Sequence, residues 1–175
     1  PGSEVGYEGI DFLRQMRHLA GCGAMIRDTS KGSVRPNGWK ANITYTLNDE
    51  DSAKLKKGFL LLIDAFFAAG AEEVKPLMNG ANFWSSRRRA RGAVIGSSAA
   101  GDYTLYASHP LGTCRMSRDP ARGVIRPSDG QTHGVENLHI TDASTFPSSP
   151  RVNPQVTIMA NALQLARGIV HNVSA

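Results

Sequence analysis

Apolar positions along this 175-residue chain fall into a few periodic stretches, separated by polar segments rich in glycine and proline. From Tyr7 through Ile10, Phe12, Leu13 and Met16 to Ala20 the spacing is partly helical. Gly21 and Gly23 then interrupt it, which predicts a short amphipathic helix over residues 7–19. Ala24 to Asp28 and Asn42 to Leu47 read as strands. The turn-rich Lys31-Gly32-Ser33 and Pro36-Asn37-Gly38 between them are short enough to favour an antiparallel arrangement.

Asn48 to Asp51 supply cap candidates and first-turn acids for a helix whose apolar stripe is Leu55, Phe59, Leu62, Ile63, Phe66 and Phe67, ending at Gly70. At that spacing the aromatic stripe is a core face rather than a ligand pocket. Lys75 to Gly101 has no clear period and reads as a lid, a binding loop or an inter-domain contact. Tyr103 to Ala107 alternates like a strand and runs straight into His109, and Leu138 to Asp142 is a second strand ending in an acid. After the Pro147–Pro150 bend, Asn153 is a good N-cap and Pro154 a good first helical residue. Val156, Met159, Ala160, Leu163, Ala166, Ile169 and Val170 follow at helical spacing. The expected fold is α+β: a mainly antiparallel, mixed sheet backed by the helix over 51–69, with the helix over 154–171 packed separately.

Composition narrows the functional classes. The chain carries 20 Lys and Arg against 15 Asp and Glu, a formal net charge of +5, with part of the excess in Arg87-Arg88-Arg89-Ala90-Arg91. Such a run suits an anionic partner, but no aromatic reading face or nucleic-acid module accompanies it, so no nucleic-acid partner is expected. A solvated loop or a packing contact is the simpler account. Cys22 and Cys114 have neither metal-ligand spacing nor the pattern of a disulfide framework, and no metal site is expected. They read as free thiols of a reducing compartment or as one incidental pair. The start lacks the regions of a signal peptide, and the longest apolar run, Phe59 to Ile63, is too short to span a bilayer. A cytoplasmic location is the expectation, with any signal lying upstream.

The chemistry concentrates in Ser108 to Met116, Thr141 to Ser144 and Val152 to Gln155. An imidazole titrates at about pH 6.5 and can take a proton from an alcohol near neutrality. A carboxamide beside it can bind the alcohol oxygen without competing for that proton. A helix N-terminus adds N–H groups and partial positive charge, a site for an anion such as a reduced flavin. His109 and Asn153 are therefore candidate partners. His133, His139 and His171 are read as structural or solvent-exposed.

Three ordered motifs, His109 to Met116 (HPLGTCRM), Gly134 to Pro147 (GVENLHITDASTFP) and Asn153 to Met159 (NPQVTIM), closely resemble the C-terminal signature of the glucose–methanol–choline (GMC) family of flavin-dependent alcohol oxidases and dehydrogenases. The resemblance covers about residues 103–172; residues 1–100 resemble the family's substrate domain more loosely. It implies that His109 accepts the hydroxyl proton while hydride passes to flavin N5. Asn153 stands at the family's second catalytic position, as in the sterol- and choline-oxidising branches. Asp142 and Ala143 match positions that contact the ribityl and pyrophosphate part of FAD, and Pro154 and Gln155 match the helix start along the pyrimidine edge of the isoalloxazine. Gly112 and Thr113 are expected to shape the loop, and Cys114 to be structural.

The family's Gly-x-Gly-x-x-Gly fingerprint is not found in these residues: Gly21 and Gly23 have the first spacing, but Ile26 takes the third place. The expectation is a C-terminal portion of a larger flavoenzyme. Residues 1–107 would be part of the substrate-binding domain and 108–175 a catalytic and FAD-contacting segment, with the FAD-binding Rossmann part outside the chain. FAD is then expected in the full-length enzyme and poorly retained by the fragment. The expected partners are an N-terminal FAD-binding portion and an alcohol, bulky or long-chain from the aromatic character of 59–67 and 83–84. Self-association through an uncovered face of the last helix is also expected. The alternative is a non-catalytic binding or assembly module using Arg87–Arg91 as its contact surface.

Overall fold

The computed structural model describes residues 10, 13–97 and 100–174. Of the first expected helix, Tyr7 and Phe12 lie outside the described residues. Residues 13–15 are helical and pass into a 3-10 turn at Met16–His18. Ile10, Leu13 and Met16 are exposed, so this apolar stripe is not buried against the described chain.

Helix α1, Asp49–Ala68, is capped as its sequence requires: the Asn48 side chain accepts from the Asp51 N–H, and Asp49, Glu50 and Asp51 crowd the positive end of the helix. Gly70 ends the element at φ +91°, where the Gly70 and Ala71 N–H groups return to the carbonyls of Phe67 and Phe66. Leu55, Phe59 and Ile63 form the buried stripe. They pack with Val74, Ala90, Val94 and Tyr103 in a single core, where the Phe59 and Tyr103 rings stack with centroids 4.9 Å apart.

Two residues of that core, Ala90 and Val94, come from the stretch read as a lid or binding loop. Arg87–Gly96 is a second helix, α2, capped by Ser86, with Ala90 and Val94 fully buried against α1. Arginines outnumber apolar residues in its first turns, so the short apolar stripe is hard to see in the sequence. Arg87 and Arg91 stand one turn apart and both bind Asp64 of α1. The Arg87 guanidinium first, then Arg91, holds that carboxyl below its usual range against its partial burial.

The α+β class holds, but its sheet is smaller than expected and differently paired. Strand β1, Gly32–Asn37, and β2, Lys40–Tyr45, form a two-stranded antiparallel ribbon turning at Gly38, φ +58°, with Val34 opposite Ile43. The partner of the second strand is therefore the turn-like segment after Lys31, not Ala24–Asp28, which has no strand structure. Residues 24–30 serve as a strap instead. The Asp51 carboxylate, fully buried, accepts the N–H groups of Thr29 and Ser30, both at 2.7 Å, together with their hydroxyls and Lys54. Burial raises its pKa, but these donors outweigh it and hold the carboxyl well below the usual range. The ribbon does not back onto α1; its side chains are largely exposed, Trp39 completely so. Tyr45 donates to Asp28, and partial burial with that carboxylate pushes its pKa up to about 12.

Two further expected strands are reduced to single bridges: Tyr103 pairs with Met78, and His139 with Gln131. Helix α3, Gln155–Ser174, begins one residue later than its spelling predicts, with the Pro154 carbonyl accepting the Ile158 N–H at 2.8 Å. Among the described residues no helix is long and apolar enough to cross a membrane.

Candidate functional site

Beyond Tyr103 the chain has little regular structure until α3, and backbone hydrogen bonds carry the organisation. Residues 104–110, His109 among them, form an exposed extended segment. Gly112, at φ +84°, turns it inward. That conformation is strained for any residue with a side chain, and an added Cβ would also stand 3.3 Å from the Phe146 carbonyl. The Cys114 N–H then donates to the Ser144 carbonyl at 3.0 Å and the Met116 N–H to the Thr145 carbonyl at 2.8 Å. The His109 loop is thereby laced to the second motif.

Within that motif Ala143–Thr145 is one 3-10 turn, capped by Asp142, whose Oδ1 accepts the Ser144 N–H at 2.8 Å and its hydroxyl. Asp142 is exposed, Ala143 half-buried and Thr145 fully buried. The Thr145 hydroxyl donates to the Asp142 carbonyl at 2.8 Å and accepts from Asn161 Nδ2 of α3 at 3.1 Å. The third motif is thus tied to the second. Pro154 is buried, while Asn153 and Gln155 are exposed.

The far half of α3 has its own anchor. Asp129, buried, accepts from Arg126 Nη2 at 2.7 Å, from the Gln131 N–H at 3.1 Å and from Asn172 Nδ2 at 2.8 Å. Burial alone would raise its pKa; the Gln131 N–H and Arg126 outweigh it and leave it lowered. Beside it Gly168 lies so close to Ser128 that a Cβ would be 2.0 Å from the Ser128 carbonyl oxygen. Leu165, buried, packs against Gly130.

The fold thus joins the stretches that carry His109, Asp142–Ala143 and Asn153–Gln155, although no hydrogen bond joins His109 to Asn153 among the described residues. Thr145 and Asn161, which tie the turn to α3, carry no spacing signal in the sequence. Only the tertiary contact between their side chains singles them out. His133 Nε2 meets the Ser117 carbonyl at 3.0 Å and His139 Nδ1 that of Asp129 at 3.0 Å, while His171 is exposed in the last turn of α3. Cys22 and Cys114 are free.

α3 also presents outward a stripe of Val156, Met159, Leu163, Val170 and Val173, each 56–83% exposed. The 3–4 spacing places them on one face, opposite the buried Leu165.

The family model described as GMC oxidoreductase matches residues 13–162. A long-chain-alcohol oxidase of Arabidopsis thaliana is 31% identical over 155 residues, 84% of this chain and 21% of that protein. A GMC-type oxidoreductase of Mycobacterium tuberculosis H37Rv is 34% identical over 168 residues, 96% of this chain and 26% of that one. Among solved structures, one from a study of FAD modification in the formate oxidase of Aspergillus oryzae RIB40 superposes with a TM-score of 0.55. It covers 81% of this chain and 25% of that one at 24% identity, a likeness of fold. The chain spans about a quarter of the length of these relatives.

Proposed function

The chain belongs to the GMC oxidoreductase family, matching its C-terminal-domain model, and from that premise we propose that it forms one wall of the active site of an FAD-dependent alcohol oxidoreductase. The observation that carries this reading is the lacing of the three motifs: Cys114 and Met116 to the 143–145 turn, and that turn through Thr145 to Asn161. Three separated stretches whose residue types suit one reaction are held as one unit.

The residues present fit FAD by the chemistry of their donors. The N–H groups of Gln155, Val156 and Thr157 precede the first intrahelical bond of α3 and have no acceptor within the helix, which suits an anionic or oxygen-bearing ring edge. Asp142 uses Oδ1 within its own turn, leaving Oδ2 for a hydroxyl donor. Asp142, Ala143, Pro154 and Gln155 would hold the cofactor. FAD, when bound, supplies the acceptor for the hydride that leaves the carbinol carbon. His109 takes the hydroxyl proton, and Asn153 holds the alcohol oxygen through its carboxamide. The substrate is a long-chain or bulky alcohol, a reading supported by the long-chain-alcohol oxidase among the relatives.

Residues 1–107 belong on this reading to the substrate-binding part and 108–175 to the catalytic and FAD-contacting segment. In support, the α1–α2 core draws on residues up to Tyr103, while Ile125, Thr145 and Leu165 are buried beyond it. The exposed stripe of α3 meets the N-terminal FAD-binding portion of the enzyme, and the free thiols accord with a cytoplasmic setting.

His109→Ala in the full-length enzyme tests the assignment. Flavin reduction by alcohol under anaerobic conditions should slow by a factor of about 10²–10⁴ with bound FAD retained. A near-normal rate removes His109 from the mechanism. Turnover of fatty, aromatic, sterol and sugar alcohols tests the substrate class, and a preference for sugars rejects it.

A further inference from the structure

Thr145 stands apart as a polar side chain with no exposure at all that serves no charge pair. Its hydroxyl joins two elements at one atom, donating to the Asp142 carbonyl at 2.8 Å and accepting from Asn161 of α3 at 3.1 Å. Its own carbonyl accepts the Met116 N–H at 2.8 Å, and the neighbouring Ser144 carbonyl accepts the Cys114 N–H at 3.0 Å. The loop that follows His109, the turn that carries Asp142 and Ala143, and the helix that follows Asn153 are therefore connected through one residue. A buried hydroxyl with both donor and acceptor functions used constrains distance and direction, whereas an apolar contact of the same size can slide.

We propose that Thr145, with Asn161 as its partner, is a positioning residue: it sets the separation between the His109 loop and the N-terminus of α3, and with it the alignment of the base and the oxygen-holding carboxamide. The inference rests on the proposed function for its catalytic readout, but its mechanical part does not. Removing the hydroxyl leaves the Asn161 amide without this acceptor and the Asp142 carbonyl with only the Thr145 N–H at 3.3 Å, so the turn that holds the His109 loop loses its side-chain tie to α3. A displacement of about 1 Å at reacting groups is enough to reduce a rate by about 10²-fold.

The experiment uses full-length enzyme carrying Thr145→Val, Thr145→Ser or Asn161→Leu. Thr145→Val should lower the limiting rate of flavin reduction by about 10–100-fold with a smaller change in KM. Thr145→Ser, which restores the hydroxyl, should stay within about threefold of the parent. Asn161→Leu should reproduce the Val phenotype, and the double variant should be no worse than either single one. Independently of turnover, hydrogen exchange at the Cys114 and Met116 amides should accelerate in Thr145→Val and recover in Thr145→Ser. Equal losses in Val and Ser, additive losses in the double variant, or unchanged exchange at both amides would each overturn the proposal. If Thr145→Val does not fold, Asn161→Leu carries the same two readouts. Failure of the functional reading is distinct: His109→Ala would then reduce flavin normally while the exchange pattern still followed Thr145.

Discussion

Two glycines in helices make opposite predictions from the same substitution. Gly168 of α3 lies against the Ser128 carbonyl, where a Cβ would come within 2.0 Å of a backbone oxygen that cannot rotate away. Gly92 of α2 meets nothing within 4 Å. An alanine is ordinarily favoured over glycine in a helix by about 1 kcal/mol, so Gly92→Ala should raise the melting temperature. Gly168→Ala should lower stability by about 2 kcal/mol through overpacking, and thermal unfolding of the two variants side by side checks both signs. Asp51 supplies a second test at this scale. Asp51→Asn keeps the size but turns a charged acceptor of two N–H groups into a neutral one, and protease cleavage within residues 24–30 should become faster.

At the scale of elements, three carboxylates hold the pieces together: Asp51 straps residues 29–30 to α1, Asp64 clasps α1 to α2, and Asp129 fastens the last turns of α3. Each has a folded pKa below the ordinary value, through Ser30, Lys54 and backbone donors at Asp51, Arg87 and Arg91 at Asp64, and Gln131 and Arg126 at Asp129. A lowered folded pKa contributes stability above the unfolded value of about 3.9, and that contribution is lost as pH falls through the folded values. Melting temperature should therefore vary little on account of these groups between about pH 5 and 8 and drop below about pH 4. In Asp51→Asn the acid-side drop should be shallower. A profile equally steep in variant and parent would assign the acid lability elsewhere. The clasp also divides the arginine run: Arg91→Ala should lower the melting temperature more than Arg88→Ala, because only Arg91 of the two grips Asp64.

At the scale of the whole molecule, the outward stripe of α3 is an apolar surface that a stable soluble domain ordinarily covers. Expressed alone, the 175 residues should self-associate, and Leu163→Glu should shift the size-exclusion profile toward monomer. A strictly monomeric parent chain would count against that face as an interface. The same stripe marks what sequence reading captured well. The 3.6-residue period of α1 and α3, the caps at Asn48 and Gly70, and the order of the three motifs are local or linear properties, legible because a helix repeats its environment every turn.

What the sequence by itself determined is therefore the set of elements whose signal lies within one or two turns of chain, together with the residue types of the candidate chemistry: His109, Asn153, Asp142, Ala143, Pro154 and Gln155. Tertiary structure decided the rest. Gly32–Asn37 rather than Ala24–Asp28 became the partner of β2, because Asp51 captures the backbone next to the latter segment. The arginine run became a core helix because two small residues, Ala90 and Val94, meet the α1 stripe while Asp64 receives the arginines. Tyr103–Ala107 and Leu138–Asp142 alternate like strands but find only single bridges, since alternation states a preference and a ladder needs a neighbour. Thr145 became a joint because the Met116 N–H, the Asp142 carbonyl and the Asn161 side-chain amide come to rest around its carbonyl and hydroxyl. A hydrogen bond between residues far apart in sequence leaves no period in it, and that is why candidate residue types could be picked out along the chain while the contacts that tie their stretches together could not.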